Sequence, residues 1–419
     1  MRFLSGRRST IEVNQAFSTV MAMVITAASA LIALLIIFSG HITTFLFHSR
    51  HAFILTVLLC AALFFDCAFE EMKNLLRARR LNKSWALFCL SRLVPEIAAT
   101  LVVAGCLRSF ELVSWAYVVI GALSVIGGLT YLNFHLEVTF VSPTARVAVR
   151  YAKFGLPLLP GALASAISLG ADKYVVGCYL GLKQVGIYSV CFTASALTFF
   201  LTGPINDVLF PELSALYDSG NSESFRRRFA GIQKFVFGVS VGAAAILVIF
   251  PQEVLRLFAS REFMSGSTTL AILGAQGIFM AIVMLYAVIL NVQLRVWSST
   301  IFWLASGLLI VLFDVLLVPG IGIEGAAVSQ LIATAAGAIL LIMAHWDLFR
   351  ITFKSEWLLQ TGLAFAAVAL LAISCQGGSL DLLHSALKII TGSMVFLMCL
   401  FITGFIRFED LRKMISAFA

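Results

Sequence analysis

The chain has 419 residues, 61% of them hydrophobic and only 12% charged, about half the roughly 25% charged share of a soluble domain. No soluble core hides that much apolar sequence, so the composition excludes a soluble enzyme and predicts an all-α, polytopic membrane protein. The net charge of +8 does not mark a nucleic-acid partner, because Lys and Arg fall in short clusters between apolar runs, the pattern of membrane topology.

Twelve apolar runs are long enough to span a bilayer, at 13–38, 53–69, 85–107, 112–132, 154–180, 186–210, 229–250, 270–290, 298–318, 325–343, 357–375 and 382–406. The first follows the basic start MRFLSGRRST and continues well past the length of a signal-peptide core, so it reads as an uncleaved span. The second is short, and its helix is expected to continue into EEMKNLLRARR. The longest connections, 70–84, 133–153 and 211–228, are about 20 residues or fewer and all fall on one side. That leaves no room for a nucleotide-binding domain, and no P-loop is present. Any work is done within the membrane, driven by a gradient or by the substrate.

With the N-terminus cytoplasmic, the inner segments hold 21 of the 29 Lys and Arg residues and the outer segments 5, with Arg92, Lys173 and Lys388 inside spans. That bias predicts a multi-pass membrane protein with both termini cytoplasmic. The eight cysteines, at 60, 67, 89, 106, 178, 191, 375 and 399, lie in or beside apolar runs and form no C-x-x-C. They read as small buried hydrophobes, with no metal site and no cofactor expected.

The stretch 151–210 organises the rest. Pro157 and Pro160 sit in the first turns of its opening helix, where a missing N–H costs least. That helix carries Asp172 and Lys173, and Gly181 and Gly186 bracket an expected six-residue turn before the chain runs back to Pro211. Sliding the chain on itself by 212 residues lays LIIFSGHITTFLF on LVIFPQEVLRLFA and Lys83-Ser84-Trp85 on Arg295-Val296-Trp297. A parallel repeat about an axis along the membrane normal is a transporter plan. It predicts two pseudo-symmetric lobes: 1–145 with four helices, 146–350 with six, and two further helices in 351–419. The offset places the first copy of the opening pair upstream of Met1, so the first lobe is expected to lack that pair.

Three passages resemble the polysaccharide flippases of the multidrug/oligosaccharidyl-lipid/polysaccharide exporter superfamily, the Wzx-like O-antigen transporters. They are GLPLLP with Asp172-Lys173 and Gly186-Ile-Tyr188-Ser, then Phe210-Pro211-Glu-Leu-Ser before Arg226–Arg228, and Val318-Pro319-Gly-Ile-Gly322-Ile-Glu-Gly325-Ala326-Ala327. The resemblance implies two lobes around a central cavity, no enzymatic activity, and a role in lipopolysaccharide or O-antigen assembly. The implied task is to move undecaprenyl-pyrophosphate-linked oligosaccharide from the inner to the outer leaflet of the inner (cytoplasmic) membrane. The implied partners are that lipid-linked substrate, the bilayer and other polysaccharide-assembly proteins. The alternatives are a cation-coupled small-molecule antiporter of the same superfamily, or a glycan polymerase or ligase, which would need a large outer loop.

Ionisable residues deep in a span face a cavity or a partner. Arg92 and Glu96, at i and i+4 with Pro95 between them, share a helix face. Two readings stand: a cavity cation for an anionic head group, tuned by Glu96, or a self-satisfied pair that locks helices. Asp172 and Lys173 are adjacent and cannot point the same way. Lys173 would favour an anionic head group and Asp172 would carry a coupling proton or cation. Asp314, expected four residues from its span's end, is read as snorkelling or capping. Asp207, and Asp66 near Glu70 and Glu71, are read as cavity-mouth or solvated groups at the inner interface.

Overall fold

The computed structural model describes residues 10–40, 53–79, 81–103, 105, 109–136, 138–156, 159–200, 202–203, 213–293, 296–374 and 382–406. The fold is all-α, and ten described helices are long and apolar enough to cross a membrane. The chain divides into two compact units, Met1–Leu156 and Pro157–Ala419.

In the first unit, α1 (Thr10–Ile37), α2 (Phe53–Ala78), α3 (Asn82–Val102) and α4 (Phe110–Leu136) form an antiparallel run. α2 packs between α1 and α4, and α3 lies against α4. The second helix continues through the charged EEMKNLL stretch, as its sequence suggests, because one side of that stretch stays apolar. Met72, Leu75 and Leu76 join Phe17, Phe69 and Phe88 in the core of the unit. The connection 133–153, expected on the inner side, is not simply a loop: Ala145–Gly155 forms a helix, α5. Its three cations recur at helical spacing along one stripe, which leaves the other side of the helix to lean on α1.

The second unit begins with α6 (Leu159–Leu180) and α7 (Leu182–Ser195), the latter extended by a 3-10 turn at Ala196–Thr198. The expected six-residue turn between them is a single residue. Gly181 takes a φ of 82°, which only glycine adopts without strain, and Lys183 to Gly186 are already helical. Gly186 therefore lies inside α7, where a lone glycine is tolerated. α8 (Ser222–Ile249) starts at Asn221, whose side chain accepts the Ser224 amide. α9 (Pro251–Phe258) is short, with proline in its first turn. α10 (Ser267–Val292), α11 (Val296–Ile321) and α12 (Ile323–Ala344) follow, then α13 (Trp346–Thr352), α14 (Ser355–Ser374) and α15 (Leu382–Ile402).

α6 lies along α11, α10 packs on α12, and α8 on α10. The corner between α11 and α12 is the Pro-x-x-Gly-x-x-Gly-Ala-Ala passage. α11 runs through Pro319, Gly322 turns with a φ of 69°, and Ala326 and Ala327 are fully buried. A Cβ on Gly325 would stand 2.7 Å from the Leu317 carbonyl carbon and oxygen, so only glycine lets the two helices meet so closely. α14 and α15 pack on each other and close over α8 and α9 through Phe237, Phe250, Trp357 and Phe396. Lys388 of α15 reaches Glu253 of α9 at 3.1 Å, with both side chains largely covered. The six described cysteines are free thiols.

Candidate functional site

Among the described residues, ionisable side chains come together within the spanning helices of each unit. In the first unit Arg92 projects from the middle of α3 toward α2. Its Nε donates to Glu96 Oε1 at 2.7 Å and its terminal nitrogen donates to Asp66 Oδ1. The guanidinium carbon lies 5.0 Å from the centre of the Phe69 ring. The helical spacing supplies Glu96 and the α2–α3 packing supplies Asp66, so one cation stands between two carboxylates. Arg92 and Glu96 are 12% and 16% exposed, whereas Asp66 is 49% exposed. Asp66 is therefore not a separate solvated group. It is the outer half of a three-residue network in which charge-assisted hydrogen bonds hold an intramembrane cation.

Beside this network a cavity of about 460 Å³ opens between α3 and α4, lined among others by Ser84, Ser91, Pro95, Ser124, Gly127 and Tyr131. Pro95 contributes no N–H, so the Ser91 carbonyl one turn earlier loses its helical donor next to this cavity.

In the second unit Asp172 is fully buried. It accepts the Tyr188 hydroxyl from α7, the Gln330 amide from α12 at 3.2 Å, and the Lys173 backbone N–H at 2.8 Å. Lys173 points elsewhere, with Nζ 4.7 Å from the centre of the Phe192 ring. The adjacent pair diverges as helical geometry requires, the acid inward and the base along α7. Asp314 of α11 is also fully buried, within electrostatic range of Asp172 and beside Ser329. Its expected snorkelling position is corrected: α11 continues to Ile321, and the residue turns inward instead of toward the interface. Ser329 gives its hydroxyl to the Gly325 carbonyl at 2.9 Å. Neither Asp314 oxygen has a hydrogen-bond partner among the described residues. One turn along α12 from Gln330, Thr334 accepts a hydrogen bond from Gln276 at 3.0 Å. Asp207 lies outside the described residues.

Two buried carboxylates within electrostatic range of each other are both ionised only beside a counter-cation, and otherwise one of them holds a proton. The donor set is all oxygen and amide, with two acids, a tyrosine and a serine, which suits a proton or a hard cation. Tyr188 and Gln330 escape a reading of charged residues alone. Tyr188 stands inside the Gly-Ile-Tyr-Ser passage, and Gln330 is a lone amide within the small, apolar run of α12.

Spanning helices that carry ionisable groups in each of the two units define a polytopic, all-α membrane protein. Its fold is shared with solved transporters of the MOP superfamily. The "Lipid II flippase MurJ, inward closed conformation" superposes with a TM-score of 0.72 at 17% identity, covering 95% of this chain and 85% of that one. A MOP superfamily transporter from Pyrococcus furiosus gives 0.65 at 15% identity over 81% and 80%. An outward-facing multidrug resistance MATE family transporter gives 0.65 at 14% over 82% and 80%. Among curated proteins, the "Probable flippase AglR" of Haloferax volcanii is 24% identical over 220 residues, 50% of this chain and 45% of that protein. The chain thus matches under half the length of that relative. The model of the family described as "Polysaccharide biosynthesis protein" matches residues 7–268, and the chain belongs to this family.

Proposed function

We propose that this protein flips an undecaprenyl-pyrophosphate-linked oligosaccharide from the cytoplasmic to the outer leaflet of the inner membrane by alternating access, with Asp172 and Asp314 carrying a coupling ion. The observation that carries this reading is the pair of fully buried carboxylates, Asp172 hydrogen-bonded and Asp314 unsatisfied, among α6, α7, α11 and α12. Ionisable groups at that depth serve ion or substrate pathways. A protein that merely anchors others has no need of them, and an enzyme on glycans would need its acids at a water-facing site. Membership of a polysaccharide biosynthesis family supports a glycan-bearing substrate.

The ion acts through the hydrogen bonds it changes. With Asp172 charged, the Tyr188 hydroxyl and the Gln330 amide both converge on it, tying α7 and α12 to α6. Neutralising the pair weakens both bonds and frees the three helices to shift, the kind of bistable contact alternating access requires. In the first unit Arg92 offers the charge for an anionic head group. That group competes with Asp66, the half-exposed partner, while Glu96 keeps its own hold on Nε. Lys173 is the second candidate cation for the same task.

The test is made on purified protein in liposomes carrying a fluorescent polyprenyl-pyrophosphate oligosaccharide. The fraction accessible to an impermeant quencher is followed under an imposed proton or sodium gradient. Flipping is expected to respond to one gradient, and the response to vanish in Asp172→Asn. Flipping that ignores both gradients removes the coupling role. No flipping, with gradient-driven extrusion of a small cationic dye instead, would favour the antiporter reading of the same acid pair.

A further inference from the structure

α5 (Ala145–Gly155) is a helix that neither the span pattern nor the transport reading uses. Arg146, Arg150 and Lys153 recur at i, i+4 and i+7, and all three are exposed. They form one stripe about 10 Å long at helical rise. Val147, Ala148, Tyr151 and Ala152 occupy the remaining face and are half-buried, while the helix packs on α1. Beside the cations the surface is apolar: Val149 is 53% exposed and Leu156 61%, and Phe140, just before the helix, is 59% exposed.

The helix is also firmly mounted. Along the segment that leads into it, Asn14 Nδ2 donates to Thr139 Oγ1 at 3.1 Å and Gln15 Nε2 to Thr144 Oγ1 at 2.5 Å. The Val141 amide donates to Ser18 Oγ at 3.0 Å and the Thr144 amide to Thr19 Oγ1 at 3.4 Å. The first turns of α1 thereby fix the direction in which the stripe faces.

A soluble acidic protein would match the charges but not the bare Val149, Leu156 and Phe140 beside them. A bilayer surface matches both, because an interfacial helix sets apolar side chains at the acyl boundary and cations among the head groups. The segment follows directly from the end of α4, a helix long and apolar enough to span, which tethers it at a membrane border. Arginine forks hydrogen-bond phosphate oxygens bidentately, so two arginines and a lysine in one row suit phosphodiester head groups carrying net negative charge. We propose that α5 is a lipid-binding helix whose Arg146–Arg150–Lys153 stripe holds anionic phospholipid of the surrounding leaflet, anchoring the first unit independently of substrate.

Native mass spectrometry of the full-length protein, titrated with phosphatidylglycerol, phosphatidylcholine or undecaprenyl phosphate, tests this. The wild type is expected to retain phosphatidylglycerol in preference to phosphatidylcholine, with a preference that shrinks as salt rises. Arg146→Gln/Arg150→Gln/Lys153→Gln should weaken phosphatidylglycerol binding by roughly fivefold per cation, on the order of a hundredfold in all. Arg146→Lys/Arg150→Lys, which keeps the charge, should retain most of the preference. Melting temperatures in neutral detergent are expected to match for all three proteins, because the altered side chains are exposed. Unchanged phosphatidylglycerol binding in the glutamine variant overturns the proposal. So does a stripe-dependent preference for undecaprenyl phosphate over phosphatidylglycerol, which would make the stripe a substrate site. Neither outcome bears on whether the protein flips its substrate.

Discussion

Tyr188 donates its hydroxyl to the carboxylate of Asp172 across the α6–α7 corner, and both side chains are closed to solvent. Two residues sixteen apart in the chain are brought together because Gly181 alone turns the backbone between their helices. The bond couples the state of a buried acid to the position of a neighbouring helix.

Tyr188→Phe removes this donor while keeping the ring. Gln330 and the Lys173 amide remain on Asp172, so the expected cost is that of one lost bond to a buried charged group, about 1–3 kcal/mol. Combining it with Asp172→Asn should cost less than the two losses added together, because the substitutions remove one interaction. Thermal unfolding of the four proteins in detergent gives the comparison, and strictly additive losses would contradict the coupling.

Arg92→Ala leaves Asp66 and Glu96 facing each other within the spanning helices. Breaking a covered ion pair by removing one partner costs about 3–5 kcal/mol, with the lower end expected here because Asp66 is half-exposed. Membrane accumulation should fall sharply. The triple change Arg92→Met, Asp66→Leu and Glu96→Leu removes the stranded charges and should restore accumulation. Restored protein that flips normally would make the network purely structural, whereas restored protein without flipping assigns Arg92 to the substrate.

Gly325→Ala forces a Cβ to 2.7 Å from the Leu317 carbonyl. Backbone cannot step aside as a side-chain tip can, so α11 and α12 must separate at the corner that adjoins Asp314 and Ser329. A loss of about 1–3 kcal/mol is expected, read as a lower melting temperature. An unchanged melting temperature would show that the corner gives way freely.

Lys388→Met strands Glu253 under α15 and should loosen the last helix pair from α9. The exchange Lys388→Glu with Glu253→Lys restores the opposite charges and should recover most of the stability. Protease sensitivity of α15, measured on intact protein, follows the docking of this pair. Equal sensitivity in wild type and Lys388→Met would assign the docking to Trp357 and Phe396 alone.

Local features of this molecule are legible in its sequence, and long-range ones are not. The spans announce themselves because lipid demands continuous apolar helix. The Arg92–Glu96 bond follows from i, i+4 spacing alone. Asp66 joins that pair through packing of α2 on α3, which no spacing encodes. Asp314 lies near an apparent span end, yet the helix continues past Pro319 and buries it beside an acid from another helix. Gly186 looks like a turn residue because glycine usually marks one, and here the helix absorbs it. The α5 cations enter the sequence reading only as inner-side charges, and their helical stripe is overlooked when charge is read only as topology.

The most direct measurement is the leaflet position of lipid-linked oligosaccharide in cells deleted for this gene and restored with it, read by an impermeant glycan-modifying enzyme acting from outside. Complete repeat units held out of the enzyme's reach in the deletion, and exposed on restoration by wild type but not by Asp172→Asn, are the expected result. Units that reach the outer leaflet without the gene, with no flippase of overlapping specificity present, would contradict it.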